Sequence, residues 1–209
     1  MSVVKKLLSL VKKPQPRPQK EQPVERVPIQ INLLAFNDNF ARHFGKAFHV
    51  SQLDGTYLIN TNFYYMGGSD LRHLAYILAT AYHETAFSMR PVTEYGGEKY
   101  LKSKKYYPYH GRGYVQITWR ENYEKYGIAD DPEKALIPEV AAYILIHGMI
   151  NGIFTGRKLR DYFNDTKTDP FNARKIINGL DSALKIEEYY HDFLKVLQLS
   201  KTEDEFQLG

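Results

Sequence analysis

The chain has no cysteine among its 209 residues, so neither a disulfide framework nor a thiolate metal site can form, and oxidation does not bear on its folding. No apolar stretch is long enough to cross a bilayer. A secretory signal is not expected either: the apolar run Leu7 to Val11 is short, contains Ser9 and is followed by no small-residue cleavage site. Metal-ligand spacing is also missing. The histidines at 43, 49, 73, 83, 110, 147 and 191 are scattered, and His83-Glu84 would open a zinc-protease motif only with a second His one helical turn on, where Phe87 stands. Gly111 and Gly113 lack the Lys-Ser/Thr that would complete a phosphate loop. No cofactor and no metal ion is implied.

A large charge of one sign is absent once the chain is divided. Of the net charge of +4, residues 1–28 hold seven Lys or Arg and two Glu, which leaves 21 basic and 22 acidic groups in residues 29–209. The basicity belongs to an arm, and the remainder carries no nucleic-acid motif, so nucleic acid is not an expected partner. Within the arm, residues 1–13 place Val3, Val4, Leu7, Leu8 and Val11 on one helical face between Lys5, Lys6, Lys12 and Lys13. This is either an amphipathic helix for an anionic membrane surface or a partner's groove, or a frayed tail, since so short a helix is marginal alone. Residues 14–28 hold five of the ten prolines and read as an extended linker.

Residues 29–199 have the patterning of one globular, mainly α-helical domain, with residues 200–209 as a C-terminal tail. Phe36, Phe40, Phe44 and Phe48 recur every four positions, which predicts a helix with a buried aromatic stripe. Gly67-Gly68-Ser69-Asp70 predicts a turn and a cap for a helix through Leu71, Leu74, Ala75, Leu78 and Tyr82 that ends at Glu84. Residues 86–117 have little helical period and read as loop and short strands forming one wall of a cleft between two lobes. Thr118-Trp119-Arg120-Glu121 has the capping-box pattern, so Thr118 is expected to start a helix that stops at Gly127. Asp131-Pro132 and Ile137-Pro138 predict two more helix starts, Thr155 a cap, and Asp169-Pro170 a helix leading to Ile177. A last helix from about Ser182 to Leu197 should turn Leu184, Tyr189, Phe193 and Val196 inward.

Two carboxylates stand out. Glu84 closes an apolar helix, where partial burial would disfavour its ionised form, as a general acid near neutral pH requires. Glu94 follows in a polar loop beside Gly96 and Gly97, where water can keep it ionised. Contrasting carboxyl groups are the minimum equipment for cleaving a glycosidic bond.

Tyr109-His110-Gly111-Arg112-Gly113-Tyr114-Val115-Gln116-Ile117-Thr118-Trp119, then Asn122-Tyr123, resembles the glycine-flanked arginine motif of the family 19 glycoside hydrolases. It is nearer the phage and bacterial lysozymes that share a lysozyme-like, two-lobed helical fold with plant-type chitinases. The likeness also takes in LAYILATAYHETA, PVTE and Arg174-Lys175-Ile176-Ile177-Asn178-Gly179, and runs from about Asn32 to Leu197. It implies Glu84 as proton donor to the leaving oxygen and Glu94 as the base that activates water, with Glu98 the competing base. Thr118 takes the place of a serine that helps hold that water. Gln116, Asn122, Tyr123 and Asn178 match residues that contact the sugar chain. Arg112 can orient a carboxylate or a sugar, or form a structural salt bridge, and His83 can tune the acid. The family inverts the anomeric centre, for which carboxyl separations of roughly 6.5–9.5 Å are usual. The spacing between the two glutamates is shorter than in plant chitinases and like that of the phage branch.

The function this implies is hydrolysis of β-1,4 links in peptidoglycan by a phage endolysin or virion-associated lysin. The alternatives are a chitinase, a lytic transglycosylase, and a non-catalytic wall-binding virion protein. Residues 1–28 would then contact a membrane surface or a virion protein. The enzyme would pass from the host cytoplasm to the wall through a membrane lesion, or arrive within a virus particle.

Overall fold

The computed structural model describes residues 31–201 of the chain. The readings of residues 1–28 as amphipathic helix or tail and proline-rich linker lie outside the described residues, as do residues 202–209. The fold is mainly α-helical.

Helix α1, Leu33–Phe44, begins because the Asn32 side chain accepts from the amides of Leu34 and Ala35, both at 3.0 Å. It ends at Gly45, whose φ of +75° belongs to the left-handed region. The predicted aromatic stripe is present, but the helix does not extend to Phe48. Asn37 instead pins the returning chain by accepting from the Phe48 amide at 2.7 Å, which sets the Phe48 ring 3.8 Å from that of Phe40. Phe36 and Phe40 are fully buried.

Helix α2 is Val50–Tyr65, and helix α3 is Leu71–Glu84, capped as expected by Asp70, which accepts from the Arg72 amide at 2.8 Å. Every residue of α3 from Leu74 to Tyr82 is buried. A helix apolar around its whole circumference has neighbours on all sides, and α3 is the spine of the core. Helix α8, Ala183–Leu199, packs along it through Ile186, Tyr190, Phe193 and Leu197, and α1 lies against α8. Leu184, expected inward, is 68% exposed. It lies in the first turn, where the inward stripe has not yet rotated onto α3.

The expected start at Ile137-Pro138 gives α6, Pro138–Asn151, which packs on α2 and closes at Gly152. The start at Asp131-Pro132 gives only a 3-10 turn, Pro132–Leu136. Between Asp169 and Ile177 run α7, Pro170–Ala173, and a 3-10 turn, Arg174–Ile176. Thr155 does not cap the segment after it; its hydroxyl donates to the carbonyl of Lys175 at 2.6 Å and ties two loops together.

The wall between Glu84 and α6 is irregular, as its composition predicts. It holds β1, Val92–Thr93, paired antiparallel with β2, Arg112–Gly113, so that Val92 faces Gly113 and Thr93 faces Arg112. It also holds two short helices, α4, Glu98–Lys102, and α5, Arg120–Glu124. A second ribbon, β3, Phe163–Asn164, with β4, Lys167–Thr168, lies near the start of α3. Thr118 does not cap α5. Trp119 occupies that position with φ +73° and no side-chain cap, while the Thr118 hydroxyl donates to the carbonyl of Gln116 at 3.0 Å. The tail does not begin at residue 200, because Ser200 is buried, accepts from the Asn32 amide at 2.9 Å and lies next to Lys201, which bridges to Ile31.

His73, on α3, is hydrogen-bonded to the carbonyl of Phe163 at 3.1 Å, and burial holds its ring below the ordinary imidazole range. A folded-state value below the unfolded one, near 6.5, means that the unfolded chain binds the proton first as pH falls. Stability from the neutral ring is complete above the unfolded value and is lost as pH falls below it. The melting temperature should therefore drop between about pH 7.5 and about pH 5.5, and less steeply in His73→Gln; a thermal melt series that gives the two proteins the same slope refutes this assignment.

Candidate active site

Glu84 is the last residue of α3, and its side chain is 17% exposed. The expectation of a carboxyl group set in apolar surroundings alone is corrected: Glu84 Oε1 accepts from a guanidinium nitrogen of Arg174 at 2.5 Å, and the Arg174 side chain is only 5% exposed. Arg174 Nε donates to the carbonyl of Asp181 at 2.9 Å, which fixes the guanidinium on the far side. Glu84 Oε2 has no hydrogen bond among the described residues. The adjoining His83 is half-buried, and burial holds its ring below the usual range, so that it is neutral at neutral pH.

The chain leaves Glu84 through a strained turn. Ala86, Phe87 and Met89 have φ of +48°, +71° and +51°, a region that costs L-residues about 1–2 kcal/mol each. Three contacts hold them there. Thr85 donates to the carbonyl of Ala81 at 2.7 Å and accepts from the Met89 amide at 3.1 Å, and Gln52 donates to the Phe87 carbonyl at 2.7 Å.

Glu94 follows β1 and lies in a shallow recess of about 380 Å³ lined by Thr93 to Gly97. Both carboxylate oxygens are held: Oε1 accepts from the Tyr106 hydroxyl at 2.7 Å and Oε2 from the Gly111 amide at 3.0 Å. That bond to Glu94 is the main reason the Tyr106 hydroxyl is pushed up to about 12, and it stays a donor throughout the neutral range. Glu98, the competing base, is different. Its side chain is 77% exposed on α4 and forms a surface ion pair with Lys102 at 2.6 Å, a hydrogen bond that lowers its pKa. The recess and the paired donors favour Glu94.

A separate pocket of about 340 Å³ has Gln116, Thr118, Trp119, Asn122 and Asn178 in its lining, together with the apolar Val115, Ile117, Phe154 and Ile177, and neither carboxylate lines it. Gln116, at φ +53°, donates to the carbonyls of Val92 at 2.8 Å and Gly113 at 3.1 Å, so only its oxygen is left to accept. With its proton committed to Gln116, the Thr118 hydroxyl is available as an acceptor, the role that holding a water through the water's own hydrogen requires. Asn122 donates through its side chain to the Thr118 carbonyl at 2.7 Å, and the Asn178 side-chain nitrogen Nδ2 has no partner among the described residues. Neighbours of each carboxylate touch residues that line this pocket. A Cβ on Gly111 would stand 2.9 Å from Gln116 Oε1 and 3.4 Å from Glu94 Cβ, so glycine is what allows Glu94 and Gln116 to close together. On the other side the Asn178 amide donates to the carbonyl of Arg174, the partner of Glu84.

Two implied sugar contacts are corrected. Arg112 is 3% exposed and spends its donors inside the wall, on Glu133 at 2.6 Å and on the carbonyls of Pro108 at 2.9 Å and His110 at 3.2 Å. Of the two roles read for it, the structural one holds. Tyr123 is fully buried, with its hydroxyl donating to the His110 carbonyl at 2.6 Å. Gly113, at φ +87°, permits the turn that brings Arg112 inward. Tyr106 and the Gly111 amide were not among the residues singled out from sequence, and Arg174 was noted only as part of a motif. Nothing in periodicity marks Tyr106 among 17 tyrosines. In Ala173-Arg174-Lys175-Ile176-Ile177 no local pattern separates Arg174 from the Lys175 beside it.

No family model matches the chain, and comparison with curated proteins finds no match. Among solved structures it is similar to a crystal structure of a glutamate-to-glutamine mutant of chitinase C, with 18% identity, 85% of this chain and 98% of that chain covered, and a TM-score of 0.46.

Removing one member of a buried ion pair leaves the other charge uncompensated. Arg174→Leu should lower the unfolding free energy by about 2–4 kcal/mol, and adding Glu84→Gln should restore part of it. Urea unfolding of the two single variants and the double variant checks this; strictly additive losses would show that the pair does not couple.

Proposed function

We propose that the chain is a peptidoglycan hydrolase that cleaves β-1,4 glycosidic bonds between amino sugars with inversion at the anomeric carbon. The observation that carries this reading is the unequal holding of two carboxyl groups, each linked through hydrogen-bonded or packed neighbours to residues that line one pocket. Glu84 keeps one oxygen on Arg174 and the other without a partner, while both oxygens of Glu94 are gripped. In the proposed reaction Glu84 first takes up a proton on Oε2 while Oε1 stays on Arg174, and then delivers it to the leaving glycosidic oxygen as the glycosidic bond breaks. A water between Glu94 and Thr118 attacks the opposite face of the sugar, giving its proton to Glu94. Gln116 Oε1 and the Asn178 side-chain nitrogen Nδ2 are a free acceptor and a free donor for the hydroxyl and acetamido groups of the sugar. Trp119, half exposed at the pocket rim, offers an aromatic face. Such an enzyme would reach the wall through a membrane lesion or as a component of a virus particle.

Mass spectrometry of peptidoglycan and chitin digests by the native chain, Glu84→Gln and Glu94→Gln tests the reading. Hydrolysis predicts reducing ends from peptidoglycan with the native chain and at least about a hundredfold less with either variant. An anhydro-sugar product that survives in Glu94→Gln would show a transglycosylase. Faster release from chitin would show a chitinase, and binding without release a wall-binding protein. Tyr106→Phe, which frees one oxygen of the base, should lower kcat about tenfold with little change in KM; an equal rise in KM would place Tyr106 in substrate binding instead.

A further inference from the structure

The segment between Glu94 and Tyr106 is a closed excursion. The chain leaves the wall at Glu94, forms α4 and returns at Tyr106, and the 2.7 Å bond between those two side chains closes its neck. Every residue in it is therefore tethered within a few residues' length of the carboxylate that the proposed reaction uses as base. Lys99, Lys102, Lys104 and Lys105 lie in this loop against the single acid Glu98, although residues 29–209 as a whole hold 21 basic and 22 acidic groups. Lys102 is paired with Glu98, and Lys104 sits over the ring of Tyr100 at 3.9 Å. Lys99 and Lys105 are exposed and have no ion pair among the described residues. The loop is held in shape. Gly96, at φ +153°, has the Tyr100 ring packed where a side chain would stand, and Tyr95 beside it is fully exposed.

A glycan of N-acetylated sugars is neutral and gives these ammonium groups nothing to pair with. The peptide stems that hang from a peptidoglycan strand end in carboxylates and extend away from the sugar held in the pocket. We propose that the lysine loop is a second binding element that takes the carboxylates of the stem peptides and so selects stem-bearing glycan over bare or neutral strands. This rests on the hydrolase reading above and names the part of the substrate that its pocket does not touch.

The test is the full-length Lys99→Gln/Lys102→Gln/Lys105→Gln variant on two substrates, with unextracted walls alongside: walls extracted to remove phosphate polymers, and the same extracted walls after carbodiimide coupling to ethanolamine has masked the stem carboxylates. On the unmasked walls the variant should lose about tenfold in kcat/KM, the size expected of three exposed ion pairs. The native rate should fall between about 50 and about 300 mM salt, and the variant's should not. On the masked walls the two proteins should be equal, which also reports intact folding. An equal loss on both substrates, or none on either, overturns the proposal. So does a loss seen only on walls that still carry phosphate polymers, since the ligand would then be phosphate. If the native chain cleaves neither substrate, the hydrolase reading fails separately, and co-sedimentation with the unmasked and the masked walls, both insoluble, decides this one: weaker binding of the variant to the unmasked walls alone supports it, and identical binding overturns it.

Discussion

The buried contact between Arg174 and Glu84 ties the end of α3 to the turn that leads into α8. Helix α3 is apolar on every side from Leu74 to Tyr82, so it can lie at the centre of the core only if its charged end is matched where it emerges. Arg174 supplies that match while its Nε binds the carbonyl of Asp181, at the approach to α8. Helices α3 and α8, the most extensively packed pair, are thereby registered against each other at one end by charge and along their length by rings. An ion pair taken out of water contributes little net stability, because desolvation offsets most of the attraction. Its value here is placement: it sets one oxygen of Glu84 and leaves the other free.

The opposite wall solves a different problem. It has almost no regular structure, so its backbone carbonyls need donors from side chains. Arg112 and Tyr123 provide them, binding Pro108 and His110 from inside, and the glycines on either side of Arg112 allow the backbone to fold around the guanidinium. The motif thus divides. Its large residues hold the wall, while the smaller polar groups at Gln116, Thr118, Asn122 and Asn178 face the pocket. Positive φ values occur at Ala86, Phe87 and Met89 in the turn after Glu84, and at Gln116 and Trp119 in the pocket lining.

What could be read from the sequence follows from which forces are local. Helices α3, α6 and α8 are periodic and capped, and their positions were legible within a residue or two, as was the Asp70 cap. Phe48 kept the four-residue rhythm of its helix but not the helix, because Gly45 ends it and Asn37 refolds the chain, neither of which periodicity registers. Thr118 matched a capping pattern that Trp119 displaced, since the hydroxyl turns back to the Gln116 carbonyl two residues before it, in a stretch where Gln116 and Trp119 both have positive φ. Glu84 and Glu94 were visible as chemistry. Their holders were not, because Arg174 and Tyr106 reach them across 90 and 12 positions of chain. The inward direction of Arg112 was open in the same way: the sequence carries the guanidinium, but Glu133 decides where it points.

The bridge between Ile31 and Lys201, with the Asn32 amide on the Ser200 carbonyl, puts the two ends of the described fold side by side. Whatever precedes and whatever follows must depart from one spot on the surface. A body hung from a single point can swivel as a unit, and a pull on either flanking segment is borne at that suture rather than across the helices. The same closeness makes the fold suited to relocation of its ends, with a short splice at 31 and 201 and a new opening in an exposed loop.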